Sequence, residues 1–548
     1  MAETFARKHL PTSRTLTKCL PVCLACVIVP SCLGQQPRLL VDQVGYETGS
    51  PKQALIMGVP QDQPQQFSLV DTATGKIVFT GELRPAGTVH AWNGTYWIAD
   101  FSSWKQPGHY LLRTNNGASE ASSSSFDIGD HLLERNTLSN VLYYFKGQRS
   151  SGLIDQADRH LPLPGGEKGF VDVHGGWYDA TGDYGIHFSH QNLTSYFNPQ
   201  QVPLVVWSLL MSYGALNERH DANFSEYERR LLDEGLFGAD FLVRMKRPNG
   251  SFFESISAPG KDKLPQDRVI GNPNWRTQIK TKASDSSEGI QNIEGPYTYQ
   301  VSFRSGGGMA IAALALASTM PNEGDFPRST YLHSAEEAFE FLDAHNRELL
   351  NDGIENILDD YCALLAATEL YRASHNQAYL NAADRRAAGL MSRLTTKDNF
   401  HDYWRANEQT RPYFHASDAG LPVISLIEYS QIASPATRKR ALDRVERSLR
   451  FELAIALEIN NPFGYARQLV RMGDGQVRSA FFFPHDTEAA PWWQGENARL
   501  ASLACAARLA APLFNQGPRF PGPTRGLCLE SASLDPRAQS LRRQHADW

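Results

Sequence analysis

Cysteine is scarce and poorly placed for a structural role. Of 7 cysteines in 548 residues, Cys19, Cys23, Cys26 and Cys32 crowd the first stretch, while Cys362, Cys505 and Cys528 are scattered downstream. Neither a disulfide framework nor a metal-ligand spacing can be assembled from them, although a Cys505–Cys528 bridge stays open. There is no basic excess either: 53 Lys and Arg stand against 59 Asp and Glu, a net charge of −6. That argues against a nucleic-acid binder, which needs a basic stripe, and suits a neutral partner. No apolar run reaches the roughly 18–20 residues of a membrane-spanning helix. Gly306-Gly307-Gly308 lacks the Lys-Ser/Thr of a phosphate loop. No zinc motif is present, and no calcium ligand set is readable.

What is present divides the chain into four parts. Residues 1–34 read as an export signal: Arg7, Lys8, Arg14 and Lys18 precede a short apolar run from Cys19 to Leu33, with cleavage near Gly34. The mature protein is therefore expected to be secreted or periplasmic. Val29-Pro30-Ser31-Cys32 loosely resembles a lipoprotein cleavage box, so a lipid anchor is the alternative. Residues 35–130 carry short β-type runs, such as Gln53–Met57, Gln66–Val70, Lys76–Phe79, Tyr96–Phe101 and Gly108–Arg113, punctuated by Pro60-Gln61-Asp62 and Asn115-Asn116-Gly117. Such spacing predicts a small β-sandwich. Residues 131–515 switch to helical periodicity, with roughly ten to twelve helices, Tyr227–Met245 among the long amphipathic ones, and no convincing strands between them. Gly308–Ser318 is apolar all round and is expected to be a buried helix. Residues 516–548 are Pro- and Arg-rich and are expected to be a poorly ordered tail. The Gly- and Pro-rich segment Lys246–Gly306 interrupts the helices; Phe252, Phe253, Trp275, Tyr297 and Tyr299 within it favour an ordered wall over a linker.

One segment concentrates groups suited to chemistry. Asp179 and Asp183 flank a turn containing Gly182, preceded by Gly175, Gly176, Trp177 and Tyr178. A tight loop presenting two carboxylates beside aromatic rings can deprotonate a water with one and orient it with the other. Read from the residues alone, a pair of turn-capping aspartates explains the pattern equally well. Later in the chain, Pro491-Trp492-Trp493-Gln494-Gly495-Glu496-Asn497 opens a good helix, and Glu496 at its start is either a buried acid or a simple helix-start charge.

The run Gly175-Gly176-Trp177-Tyr178-Asp179-Ala180 with Gly182-Asp183-Tyr184 resembles the catalytic-base motif of glycoside hydrolase family 9, the family of many cellulases. Thr181 is one residue more than the usual Asp-Ala-Gly-Asp, which leaves open which aspartate takes the proton. Leu40–Tyr46 with Pro51-Lys52-Gln53-Ala54 looks like the opening of the immunoglobulin-like module that precedes many such domains. Asp359–Tyr371 and Asn460–Tyr465 are similar to a barrel helix and an Asn-Pro turn of the family. The resemblance implies an (α/α)6 barrel after an immunoglobulin-like sandwich. It implies inverting hydrolysis of a β-linked glucan, with Asp183 as base, Asp179 holding the water and Glu496 as general acid; Asp486 and Glu488 are the fallback acids. Trp177, Tyr178, His485, Arg478 and Trp493 are the sugar-binding candidates, and Trp404 and Tyr413 are read either as subsite lining or as core packing. Thr487 stands where the family often has an arginine, and Arg478 is the candidate to compensate. No cofactor is required, although the family often holds a structural calcium. The alternatives are an exo-acting β-glucosidase or glucosaminidase on short oligosaccharides, and a non-catalytic glycan-binding protein.

Overall fold

The computed structural model describes residues 37–115, 120–178, 201–257, 264–271, 297–350, 353–414, 418–472, 475–481 and 496–514. Trp275 and Cys528 lie outside them.

The first part is built from β1 (Arg38–Leu40), β2 (Tyr46–Glu47), β3 (Gln53–Gly58), β4 (Gln66–Asp71), β5 (Ile77–Val89), β6 (Gly94–Asp100), β7 (Gly108–Asn115), β8 (Glu120–Ser122) and β9 (Phe126–Gly129). Strand order is β1-β3-β6-β5-β4-β7-β9-β2, with β8 on β7. All pairs are antiparallel except β2 with β9. Its core holds Ile56, Phe67, Leu69, Ala99, Phe101, Leu112 and Ile128. β5 runs well beyond the expected Lys76–Phe79. Its first half pairs with β4 and its second with β6, and the register shifts between Pro85 and Gly87. A bulge lets one strand serve both faces, and Gly87 supplies the positive φ of 84°.

The residues around Tyr46 and Lys52 are structural. The Tyr46 hydroxyl accepts from the Asp42 N–H and donates to the Gln53 carbonyl, both at 3.0 Å. The buried Lys52 ammonium donates to the carbonyls of Thr48 at 2.9 Å and Ser50 at 2.8 Å. Gly45 has φ 102°, and a Cβ there would lie 2.7 Å from Leu132.

The helices follow: α1 (Ser139–Gln148), α2 (Gly152–Asp158), α3 (Gln201–Asn217), α4 (Ser225–Met245), α5 (Gly308–Ala317), α6 (Arg328–His345), α7 (Ile357–Ser374), α8 (Gln377–Ser392), α9 (Leu421–Ser430), α10 (Pro435–Ala456) and α11 (Glu496–Phe514). They alternate in character. Almost all of α5, α7 and α9 is buried, whereas α4, α6, α8 and α10 bury one face. Helices apolar all round belong inside and amphipathic ones outside. Accordingly α3 packs on α5, α5 on α7, α7 on α9 and α9 on α11, while α4, α6, α8 and α10 each pack against an inner neighbour. Four short hairpins interrupt the series, contrary to the expectation of no strands: Leu161–Pro162 with Phe170–Val171, Ile256–Ser257 with Val269–Ile270, Leu394–Lys397 with Phe400–Trp404, and Gln468–Arg471 with Val477–Ala480. Each strand has at most five residues, too few for a period to emerge from the pattern. Among the described residues no helix is long and apolar enough to cross a membrane.

Contacts in two regions join the sandwich to the helices. The Glu47 carboxylate accepts the backbone N–H groups of His131 and Leu132, each at 2.8 Å, so a residue of β2 meets the free donors where the helical part begins. On another side Trp92 packs edge-on against Phe463 at 5.3 Å, and Asn460 donates to the Thr88 carbonyl at 3.3 Å. The turn carrying Phe463 is clamped by Asn461, which donates to the Ala456 and Tyr465 carbonyls and accepts from the Tyr465 N–H. Replacing Glu47→Ala strands two buried donors and should cost about 1–3 kcal/mol; thermal or urea unfolding measures it, and an unchanged midpoint would refute the role.

Candidate active site

The loop that resembles the base motif is described up to Tyr178. Asp179, Thr181 and Asp183 lie outside the described residues, as do His485, Asp486, Glu488 and Trp493. Glu496 is the first residue of α11.

The approach to the aspartates is firmly seated. Trp177 is 3% exposed. Its ring packs edge-on against Phe145 at 5.7 Å and Phe237 at 5.8 Å. Its indole Nε1–H donates to Glu234 Oε1 at 2.7 Å. Arg149 donates to the same carboxylate, from Nε to Oε1 at 3.0 Å and from Nη2 to Oε2 at 2.7 Å. Its guanidinium also lies 4.1 Å above the Phe237 ring. Backbone bonds hold both ends: the Ser150 N–H donates to the Gly176 carbonyl and the Tyr178 N–H to the Gln148 carbonyl, each at 2.9 Å. Gly176 adopts φ 70° with Phe241 close by, and a Cβ on Gly238 would lie 2.3 Å from the Trp177 ring. Asp172 accepts from the His174 N–H at 3.1 Å, making the Asx turn that leads in.

Two of the rings suggested for sugar binding are buried: Trp177 and Trp404, the latter 6% exposed, both belong to the helical core, where a large ring gains most from packing. Tyr178 is half-buried, and its hydroxyl accepts from the Ser151 N–H at 3.3 Å. Tyr413 is half-buried; its hydroxyl lies 3.4 Å from that of Tyr361 and donates to the Asp418 carbonyl at 3.3 Å. Arg478 is exposed on its hairpin, opposite Val470. Of these candidates, Trp177 and Tyr178 share one seat, Trp404 and Tyr413 are joined by a 2.7 Å backbone bond, and Arg478 stands on a separate hairpin. The expected wall is ordered where described: Phe252 and Phe253 are buried, and Arg268 makes a two-pronged, fully buried ion pair with Asp158 at 2.8 and 2.7 Å.

The start of α11 is also anchored. Arg499, one turn beyond Glu496, is buried and donates to the Ala466 carbonyl at 2.9 Å. Glu452 on α10 is half-exposed along its stem, but Oε2 is buried without a hydrogen-bond partner among the described residues. Burial pushes its carboxyl up to about 7 from 4.5, with the Arg499 charge opposing. Among the described residues no group of three or more His, Cys, Asp or Glu side chains could hold a metal ion, and no residue is assigned to calcium. The sequence reading missed Arg149 and Glu234 altogether. A faint signal existed in Gly235 and Gly238, two helix-weakening residues inside α4.

Residues 34–119 match the profile of the cellulase N-terminal ig-like domain, and residues 135–416 match that of glycosyl hydrolase family 9. The chain belongs to glycosyl hydrolase family 9. The family 9 match includes Asp179 and Asp183 and ends before Glu496. A cellodextrinase of Butyrivibrio fibrisolvens is 28% identical over 40% of this chain and 40% of its own length. A xyloglucan-specific endo-beta-1,4-glucanase of Bacteroides ovatus is 25% identical over 40% of this chain and 38% of its own length. The similarity thus spans about two-fifths of these curated relatives. Among solved structures, a metagenome-derived family 9 endoglucanase superposes with a TM-score of 0.56 at 19% identity, covering 88% of this chain and 80% of its own. At that identity the likeness is one of fold.

Glu452 allows a test of the anchored helix start. Its folded-state pKa is raised above the unfolded value, so the folded state holds the proton longer. The contribution is most favourable below about pH 4.5 and is lost as pH rises through about 7. Glu452→Gln should remove a stability loss of at most about 3 kcal/mol between about pH 5 and about pH 8. Unfolding curves at the two pH values measure it, and parallel behaviour of variant and parent would refute the assignment.

Proposed function

We propose that this enzyme hydrolyses a β-linked glucan with inversion. The carrying observation is the family 9 match across the segment that contains Asp179 and Asp183, entered by a loop whose described half is seated against α4. In this reading Asp183 deprotonates a water that Asp179 orients. The water attacks the anomeric carbon from one face while Glu496 protonates the leaving oxygen on the other. Inversion requires the base and acid carboxyls to stand roughly 6.5–9.5 Å apart, leaving room for the water. Proton transfer among carboxyls and water completes the cycle without a cofactor. Tyr178, Tyr413, Arg478, His485 and Trp493 are the remaining candidates for holding the sugar.

The architecture proposed for the catalytic part, residues 131–515, is an (α/α)6 barrel. The alternation of inner α3, α5, α7, α9 and α11 with outer α4, α6, α8 and α10 supports it. The sandwich of residues 35–130 is proposed as its support, residues 516–548 as a tail, and residues 1–34 as an export signal. The protein would then act outside the cytoplasm, secreted or periplasmic, free or lipid-anchored.

A second reading keeps the chemistry and changes the mode. The cellodextrinase relative favours action on short chains, and the long wall between α4 and α5 could close one end of a cleft. An exo-acting β-glucosidase or glucosaminidase would result.

Products from a panel of β-glucans and chitosan oligomers test both readings: a ladder of oligomers marks endo action and a single monosaccharide marks exo action. NMR of the first product tests the stereochemistry. The α-anomer is expected, and initial release of the β-anomer would overturn inversion. Asp183→Asn should abolish hydrolysis while retaining binding.

A further inference from the structure

We infer that Glu234 and Arg149 are positioning residues for the water-activating aspartates, acting through Trp177; this rests on the reading of Asp183 as the base. The geometry points to that role for three reasons. First, the Glu234 carboxylate, buried on α4, is shared by two donors from different parts of the chain: the Trp177 indole at 2.7 Å and the Arg149 guanidinium at 3.0 and 2.7 Å. A carboxylate met on both oxygens by directional donors fixes orientation, because any rotation breaks a bond. Second, the same helix face supplies Phe237, Gly238 and Phe241, against which Trp177 and Gly176 are packed without room for another carbon. Third, the backbone bonds Ser150 to Gly176 and Tyr178 to Gln148, each 2.9 Å, tie down the residue immediately before Asp179. The direction in which the chain enters the aspartate turn is therefore set by α4 and by the end of α1.

The loop needs such a seat. Gly175 and Gly176 have φ 101° and 70°, and glycines leave the backbone free to take many other paths. An error of about 1 Å in the position of a base can cost on the order of 100-fold in rate, whereas substrate binding depends on contacts spread along the cleft.

The test uses Glu234→Gln and Trp177→Phe in the full chain with cellotetraose as substrate. Trp177→Phe keeps an aromatic ring and removes only the indole edge and its N–H. In each folded variant kcat should fall by about 10- to 100-fold with KM little changed. Sodium azide then separates positioning from general damage. The azide anion forms the new bond to the anomeric carbon as the glycosidic C–O bond breaks, and Glu496 delivers its proton to the leaving oxygen. Azide has no proton to lose, so it needs no base. Azide should restore turnover in Glu234→Gln and Trp177→Phe, with α-glycosyl azide as product, and should do so more strongly in Asp183→Asn. A wild-type kcat in both folded variants would overturn the inference. So would a loss that azide does not relieve while Asp183→Asn is rescued. If Asp183→Asn itself stays active or does not respond to azide, the assignment of the base fails instead. Should Glu234→Gln not fold, Trp177→Phe alone decides.

Discussion

An indole N–H carried into a protein core must meet an acceptor, and in this chain the acceptor is a carboxylate that in turn requires a cation. Trp177, Glu234 and Arg149 satisfy these demands together. Leaving any one unmet would strand a buried polar group at a cost of about 1–3 kcal/mol or more. The consequence is geometric rather than simply stabilising. Buried ion pairs contribute little net stability once desolvation is counted, but losing one partner is costly. The arrangement therefore has few alternatives near it in energy, which is the property a loop leading to reactive carboxylates needs.

The same logic governs the join between sandwich and helices. A helix begins with N–H groups that nothing in the helix can satisfy, and Glu47 from the sandwich meets two of them. Trp92 and Asn460 make a second attachment at a distance along the chain from the first. Two separated attachments resist rotation in a way one cannot. The segment bearing Phe463 leads within a short stretch to Phe481, which lies 6.4 Å from the Trp92 ring, so the sandwich also touches the chain just after the hairpin of Gln468–Arg471 and Val477–Ala480.

How much of this could be read from the chain followed the range of the interactions. The helices were legible because apolar periodicity is a local property: Tyr227–Met245 was expected and Ser225–Met245 is observed. The blocks around Tyr46, Lys52 and Asn461 were legible as motifs, and each proves to be a set of bonds between residues a few positions apart. β5 was cut short at Phe79 because Pro85 and Gly87 break the strand pattern, and only the pairing with β6 shows why they are tolerated. Within the candidate site, Trp177 stood out by its company, but its burial and its partners were not legible. Its partner Glu234 is 57 positions away and Arg149 is 85 positions from Glu234. Beyond the two glycines that follow Glu234 on α4, nothing local distinguishes those two side chains from solvated charges.

Apolar packing alone would leave one further freedom. Small, smooth helices such as α5, half of it Ala, can slide along their neighbours with little loss of buried area. Polar contacts between the inner helices remove that freedom. Trp207 on α3 donates to Glu369 on α7 at 3.2 Å, and Arg372 on α7 bridges Glu369 at 3.0 Å and Glu428 on α9 at 2.8 Å. At the other end of α7, Asn356 caps the helix while Asp359 and Asp360 are met by Arg304 and Arg393. Burial pushes the Glu369 carboxyl upward while Arg372 opposes the shift. Each contact defines one axial setting of one helix against the next. In the proposed reading, in which Asp183 and Glu496 serve one reaction, every helix between them must keep its register, and buried polar groups fix that register more sharply than apolar bulk can.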